Sequence, residues 1–397
     1  MSEKIPKGWK WVKLGEVGIV ITGKTPSSKH PEDWGYDMPF VTPTDYKNYR
    51  KFAYDSERYL SNAGINKLKN KVLPENSVLV TCIGSDMGKV VINKLPVITN
   101  QQINSIIPNR NIIFPDFLYY VLVYNYETLR IFASNGTAVP ILNKTDFENI
   151  EISTPPLPDQ KAIAEVLSSI DDKIELLHRQ NKTLEEMAMT LFRQWFIDAN
   201  FDGTIGQIVN VQGGYAFKSK DFKTNGNHSV IKIKNITDFI ININDTEFIE
   251  ESVVKNLEKK FKIFSGDVLI AMTGAEIGKL GIVPKTNKNL WLNQRVGLLR
   301  EKYDGARFIA YLNLKSEFGY DYIVNTASGS AQANISASDI ENCPFVQLSE
   351  DEIKAYSKTI SPFFEKIIFN LGQIQTLEKL RDTLLPKLMS GEVRIMK

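Results

Sequence analysis

The feature that most constrains this chain is an internal duplication. Residues 77–84 read SVLVTCIG and residues 267–274 read DVLIAMTG, and each is followed by a Gly-Lys pair, Gly88-Lys89 and Gly278-Lys279. Asn100-Gln101 recurs as Asn293-Gln294, and NGTAVPILNKTDFENI (135–150) recurs as SGSAQANISASDIENC (328–343). Nearer the start, LGEV (14–17) matches IGQI (205–208), and ITGKTP (21–26) matches VQGGYA (211–216). The period of about 190 residues is far longer than a solenoid repeat of roughly 20–50 residues. It predicts two copies of one domain, each followed by a further element.

That further element reads as helix. Behind Thr154-Pro155-Pro156-Leu157, apolar residues fall at Ile163, Leu167, Ile170, Ile174, Leu177, Leu184, Ala188, Leu191 and Trp195, with Asn181 filling the gap. Alternating steps of four and three are the signature of a coiled-coil seam. The prolines stop helix before this point, and Asp159 is the expected N-cap. The second copy is rougher: Tyr356, Ile360, Phe363, Ile367, Asn370, Ile374, Leu377, Arg381, Leu384 and Leu388. Ser349 and Glu352 form a capping box at its start, and Pro362 predicts a kink or a restart. Two seams in register with a whole-domain repeat are best explained by pairing with each other. Both domains read as mixed α/β, with strands in 17–22, 77–83 and 90–93, then in 229–236, 267–273 and 281–283. A helix over 115–132 has its counterpart over 306–323.

Composition narrows the class. The 397 residues carry 48 Lys and Arg against 46 Asp and Glu, so a polyanion must be met by local clusters, not by a global field. No apolar run approaches the roughly 18 residues of a membrane span, and the start, MSEKIPKGWKWVKLGEV, has no apolar signal core. Cys82 and Cys343 stand far apart and read as reduced core thiols of a cytoplasmic protein. Three scattered histidines make a zinc site unexpected.

Catalytic signatures fail in turn. A phosphate-binding loop needs four residues between Gly and Gly-Lys and then Ser or Thr. Both copies have three residues, followed by Val90 or Leu280. DNA amino-methylation calls for Asn or Asp before Pro-Pro-aromatic, yet the single Pro-Pro lies in Thr154-Pro155-Pro156-Leu157. Glu352-Ile353-Lys354 could suggest a nuclease, but acids are expected in a capped first turn. Basic clusters are more informative. Lys67, Lys69 and Lys71 are matched by Lys259, Lys260 and Lys262, and Lys218, Lys220 and Lys223 flank Tyr215, Phe217 and Phe222. Such residues beside Asn, Gln, Ser and Thr loops suit a surface that holds phosphates and reads base edges.

The order of these motifs resembles the DNA-specificity subunit of a Type I restriction–modification system, over essentially the full length. The resemblance is carried by GKTP, DVLIAMTGAEIGK, SGSAQANISASDI, PPLPDQKAIAEVLSSIDDKIELL, LFRQWFIDANFDG and LLPKLMSGEVRI. It implies an α+β fold: two similar mixed α/β target-recognition domains separated by a long antiparallel coiled coil of two helices, a pseudo-two-fold internal duplication. The expected boundaries are 1–154 and 201–347 for the domains, with 155–200 and 348–397 for the helical spacers. The resemblance also implies a non-catalytic chain that reads a bipartite double-stranded DNA target. Two methyltransferase subunits would bring S-adenosylmethionine, restriction subunits would bring ATP and Mg, and this chain would bind no cofactor itself.

Residue type and loop position select Lys24, Thr25, Ser27, Thr44 and Gln101 as base readers in the first domain. Tyr215, Lys218, Lys234, Arg295 and Ser330 are the choices in the second, with Gln102, Asn135 and Thr137 as second-rank candidates. Lys69, Lys89 and Lys279 are candidates for phosphate. The spacer seam is assigned to Ile170, Ile174, Leu177, Leu184, Leu191, Ile360, Phe363, Ile367, Ile374, Leu377 and Leu384. Phe192, Trp195 and Phe196 are candidate docking anchors for a partner subunit, with capping of the coiled-coil end as the competing role. A self-sufficient DNA-modifying enzyme and a coiled-coil adaptor without a DNA role stand as alternatives.

Overall fold

In a computed structural model the described residues are 5–84, 86–133, 141–196, 199–237, 239–327 and 333–395. They form two compact units. One comprises Met1–Glu175 with Leu377–Lys397, the other Leu176–Thr376. Each unit therefore holds one copy of the repeat together with a part of each long helix, Leu157–Phe196 and Glu350–Met389.

Within the first unit, the main sheet runs Gly18–Thr22, Ile103–Pro108, Val78–Thr81, Val90–Asn93, Phe52–Ala53. The main sheet of the second unit starts in the same order, with Val209–Gly213, Val296–Glu301, Val268–Ala271 and Leu280–Ile282. A second sheet repeats too: Val41 pairs in parallel with Thr99, and Ile231 with Leu292. Strands buried on both faces, such as Val78–Thr81 and Val268–Ala271, are runs of Val, Leu and Ile with no polar alternation, as two-sided burial requires. Each domain is closed by a ribbon joining its start to its end, Lys10–Lys13 against Glu151–Thr154 and Gly203–Thr204 against Pro344–Phe345.

The helix expected over 115–132 is two helices, Pro115–Tyr124 and Tyr126–Ala133, and its counterpart divides in the same way into Ala306–Lys315 and Glu317–Ala327. The first member of each pair is almost wholly buried. In the first unit it packs with Ile163, Ala164, Leu167, Leu388 and Met389 of the long helices. In the second, Phe308 stacks on Phe364 at 4.4 Å.

The long helices are antiparallel in both units. Arg381 Nη1 donates to Asp171 Oδ1 at 3.1 Å in the first, and Asn370 Nδ2 donates to Asn181 Oδ1 at 2.9 Å in the second. Ile163, Leu167, Ile170, Ile174, Leu177, Asn181 and Ala188 are buried as the heptads require, while Leu184 and Leu191 are partly covered. Opposite them, Ile353, Ser357, Ile360, Phe364, Ile367, Leu371 and Ile374 are buried, and Leu377 and Leu384 are partly covered.

Four expectations are corrected. Phe364, not Phe363, is the seam residue, because the adjacent phenylalanines leave the phase open and only Phe364 reaches Phe308. The helix does not restart at Pro362 but continues through it. Pro362 and Lys358 are both exposed, so the carbonyl that loses its partner faces water. The first long helix starts at Leu157, two residues before the expected cap, with the amides of Asp159 and Gln160 donating to Pro156 O. The repeat alignment near the start shifts by one: Gly23 corresponds to Gly214 and Lys24 to Tyr215, since the amides of Lys24 and Tyr215 donate to Thr99 O and Leu292 O, at 2.9 and 2.8 Å.

The Ser349–Glu352 capping box forms, with the Ser349 amide donating to Glu352 at 2.8 Å. Cys82 and Cys343 are free and buried, and burial pushes each thiol up to about 12. Both should therefore resist alkylation in native buffer at neutral pH and react once the chain is denatured. Mass spectrometry that found either one labelled in the folded protein would contradict this packing. The asparagine pair yields a second test. Asn370→Leu strands the Asn181 amide in an apolar seam and should cost about 1–3 kcal/mol. The double variant N181L/N370L should match or exceed the wild type. Chemical denaturation of all three variants reads the difference, and a neutral single variant would show that the bond is not used.

Candidate nucleic-acid interface

Within each unit, hydrogen bonds tie together loops that carry most of the candidate residues. In the first unit the frame is a close backbone crossing. A Cβ on Gly23 would collide with the carbonyl oxygens of Thr99 and Asn100. The Lys24 amide donates to Thr99 O at 2.9 Å and the Asn100 amide donates to Val41 O at 3.1 Å, so three loops are tied together. Thr25 Oγ1 then donates to Gln101 Oε1 at 2.7 Å, which joins two of the candidates directly. Thr44 shares a 2.7 Å hydroxyl contact with Thr42 in the neighbouring loop. Gln102 closes the turn: its amide donates to Asn100 Oδ1, and its Oε1 accepts from Asn100 Nδ2 at 2.9 Å. Lys71 Nζ donates to Thr22 O at 3.0 Å, which brings the Lys69–Lys71 turn beside this crossing.

The second unit rebuilds the same frame. A Cβ on Gly214 would collide with the carbonyls of Leu292 and Asn293. The Gln294 amide donates to Tyr215 O, and the Met272 amide donates to Arg295 O as the Cys82 amide does to Gln102 O. Tyr215 sits among Phe217 and Phe261, at 5.0 and 5.6 Å between ring centres. Lys218, Gln294 and Arg295 are exposed beside it. Lys234 lies against Glu247 at 3.6 Å, and Lys232 holds the same carboxylate at 2.6 Å. The Lys232 hydrogen bond keeps the Glu247 carboxyl below the usual carboxylate range.

The glycine-lysine loops are hairpin turns. Gly84, Gly88, Gly274 and Gly278 all have φ between 78° and 91°, a conformation that other L-residues avoid. The amides of Gly88 and Gly278 donate back to Thr81 O and Ala271 O, at 2.8 and 3.0 Å. Lys89 pairs with Asp86 at 2.7 Å, and Lys279 pairs with Glu276. Neither turn presents a row of amides toward a phosphate cradle. Both lysines remain about half exposed, so they can exchange a carboxylate for a phosphate oxygen.

Ser27 is exposed on the chain leaving the crossing. Lys24, Lys69, Lys218 and Arg295 are exposed and carry no side-chain ion pair among the described residues. Ser330, Asn135 and Thr137 lie outside the described residues. Gln294 and Phe261 were missed as candidates; the Asn-Gln repeat already pointed to Gln294, whereas nothing in the sequence brings Phe261 to Tyr215. Among the described residues, no group of three or more His, Cys, Asp or Glu side chains is arranged to hold a metal.

Phe192 and Phe196 need a correction as docking anchors. Phe192 and Phe196 are buried and pack on Phe345, and Trp195 lies on Tyr356 at 4.5 Å. The apolar faces of Phe192 and Phe196 are spent on closing the end of the helix pair against the last strand of the domain, whereas Trp195 is only partly buried.

A family model described as the Type I restriction modification DNA specificity domain matches the chain twice, over residues 6–186 and 201–379. The chain belongs to this family. The specificity subunit of the Type I restriction enzyme MjaIX from Methanocaldococcus jannaschii is 31% identical across 99% of this chain and 95% of its own length. A second specificity subunit from that organism, MjaVIII, is 26% identical across 99% and 94%. In three dimensions the fold matches that of the Type I restriction-modification S subunit from M. genitalium, with a TM-score of 0.58 at 17% identity, covering 100% of this chain and 98% of the other. The two matched segments of the specificity family coincide with the two copies of the loop cluster and its frame.

The crossings themselves can be tested. Gly23→Ala or Gly214→Ala should pry its own loop cluster apart, a loss of about 1–3 kcal/mol or more from overpacking. Hydrogen exchange should show faster exchange at the Lys24 amide in the first variant and at the Tyr215 amide in the second. Unchanged protection at both would mean that the crossing tolerates a side chain.

Proposed function

We propose that the chain is the sequence-reading subunit of a Type I restriction–modification system. Each of its two domains reads one half of a split double-stranded DNA target, and the long helices set the spacing between the halves. The observation that carries this reading is the duplicated loop cluster: one backbone frame, built twice from the same hydrogen bonds, presenting different exposed polar and basic side chains. Catalytic copies are kept similar by their chemistry, whereas readers of two different half-sites need a common frame and different contacts. Lys24, Thr25, Ser27, Thr44 and Gln101 are the proposed readers of one half, and Tyr215, Lys218, Lys234, Arg295 and Ser330 of the other, with Lys69, Lys89 and Lys279 on phosphates.

A 40-residue helix at roughly 1.5 Å per residue spans about 60 Å, more than the 34–36 Å or so of one turn of DNA. A strut of that length suits half-sites on separate turns. Methyl transfer with S-adenosylmethionine, and ATP- and Mg-dependent restriction, belong in this reading to two methyltransferase subunits and to restriction subunits docked on the scaffold. The names of the relatives support the role, since both are specificity subunits of Type I enzymes. A cytoplasmic location is part of this reading, because the target is DNA.

Exchanging residues 1–150 for the corresponding segment of another family member, in a complex with methyltransferase subunits, should change one half of the methylated sequence and leave the other intact. Sequencing of methylated sites reads the outcome; a change in both halves, or in neither, defeats the two-reader arrangement. Lys69→Ala and Lys89→Ala should weaken DNA binding for all sequences alike and lower the salt dependence by about one unit of slope each. An adaptor without a DNA role would show no salt-dependent binding at all.

A further inference from the structure

Resting on that reading, we infer that Arg295 fixes a guanine in the half-site read by the second domain, and that Gln102, the equivalent residue of the first domain, does not. The two half-sites therefore differ at the position that the duplication makes equivalent.

The equivalence rests on hydrogen bonds. Thr99-Asn100-Gln101-Gln102-Ile103 and Leu292-Asn293-Gln294-Arg295-Val296 form the same turn. In each, the last residue's amide donates to the asparagine carbonyl, Ile103 to Asn100 at 3.3 Å and Val296 to Asn293 at 2.9 Å. The fourth residue's carbonyl accepts from the strand across, from Cys82 at 2.7 Å and from Met272 at 3.1 Å. Backbone placement is thus shared, and the side chains alone differ.

Their states differ sharply. Gln102 has its amide oxygen taken by Asn100 Nδ2, and Gln101 has its own taken by the Thr25 hydroxyl. The residue corresponding to Thr25 is Ala216, which has no hydroxyl, so Gln294 has no such clamp. Arg295 is exposed and makes no side-chain hydrogen bond or ion pair among the described residues. A guanidinium presents parallel N–H donors in a fixed fork, which matches the O6 and N7 acceptors that guanine alone displays in the major groove. Tyr215, Phe217 and Phe261 form a wall beside the turn.

The test is selection of duplexes from a pool randomised over both half-sites, performed with the complex of this chain and its methyltransferase subunits. The wild type should select two half-sites, with a guanine invariant at one position of the half governed by residues 201–347. Arg295→Gln should relax that one position by roughly ten- to a hundredfold in preference and leave every other position as it was. Arg295→Lys should keep guanine, since lysine can donate to the same acceptors. Gln102→Arg should create a new guanine preference in the opposite half. Loss of binding to all sequences equally in Arg295→Gln would make the residue a phosphate contact and overturn the inference. So would an unchanged motif, or a change confined to the half governed by residues 1–150. A wild-type complex that selects no split motif would instead overturn the two-reader function on which the inference stands.

Discussion

A seam of two long helices is prone to slip by a heptad, because every apolar layer resembles the next. What opposes slippage here is a small number of polar bonds inside the seam. The Asn181–Asn370 hydrogen bond is buried in the second unit, and it leaves Asn181 Nδ2 and Asn370 Oδ1 without partners. Displacing the helices by a heptad would bury both amides against leucine and isoleucine with no bond at all, at about 1–3 kcal/mol for each stranded group. In the first unit, Arg381 reaches Asp171 in the same antiparallel sense. Register in each unit is thus set by polar exceptions in an apolar pattern, the best-attested use of such residues.

The domains are fastened to the helices by related but unequal contacts. Tyr120 and Tyr311 occupy equivalent places on equivalent buried helices. The Tyr120 hydroxyl donates to Asp171 at 2.6 Å, and burial with that neighbouring carboxylate holds the phenol protonated, so it remains a donor. Lys51, 4% exposed, adds a buried charge held by Asp116 at 2.6 Å and Ser168 at 2.7 Å. In the second unit the Tyr311 hydroxyl meets Glu185, which also binds Lys315 at 2.6 Å, and Phe364 fills the adjoining space with an aromatic stack. Both dockings include a tyrosine–carboxylate bond; the first adds a buried lysine and the second an aromatic stack. Duplicated domains keep the attachment point and vary its chemistry.

Much of this was legible in the sequence, and the failures have physical reasons. The repeat, the buried thiols, the strands around Val78 and Val268 and the first seam follow from periodicity and composition, which are local signals. The second seam was misphased at Phe363 because adjacent aromatic residues satisfy either phase until a neighbour, Phe308, selects one. The alignment near Gly23 slipped because Gly213 and Gly214 are adjacent, and only the close approach to Leu292 and Asn293 shows which of them is constrained. Phe192 and Phe196 looked like exposed anchors because a one-dimensional reading does not include Phe345, about 150 residues away in sequence, which covers them. The candidate interface was legible as a set of loops. That Thr25 would clamp Gln101 while Gln294 stays unclamped was not, since both depend on a crossing between distant strands.

The crossing explains how one fold can carry two different loop surfaces. Gly23 with Asn100, and Gly214 with Asn293, carry the backbone geometry, and their side chains or lack of them are fixed by steric contact. On that frame Thr25 ties Gln101 and Gln102 ties Asn100, whereas Ala216 and Arg295 make no such side-chain bond among the described residues, so these positions differ while the crossing itself is kept. Backbone geometry and exposed surface chemistry are therefore assigned largely to different residues of the same turn. That separation lets a duplicated domain diverge in what its surface contacts while its strands, ribbons and helix attachments stay in register.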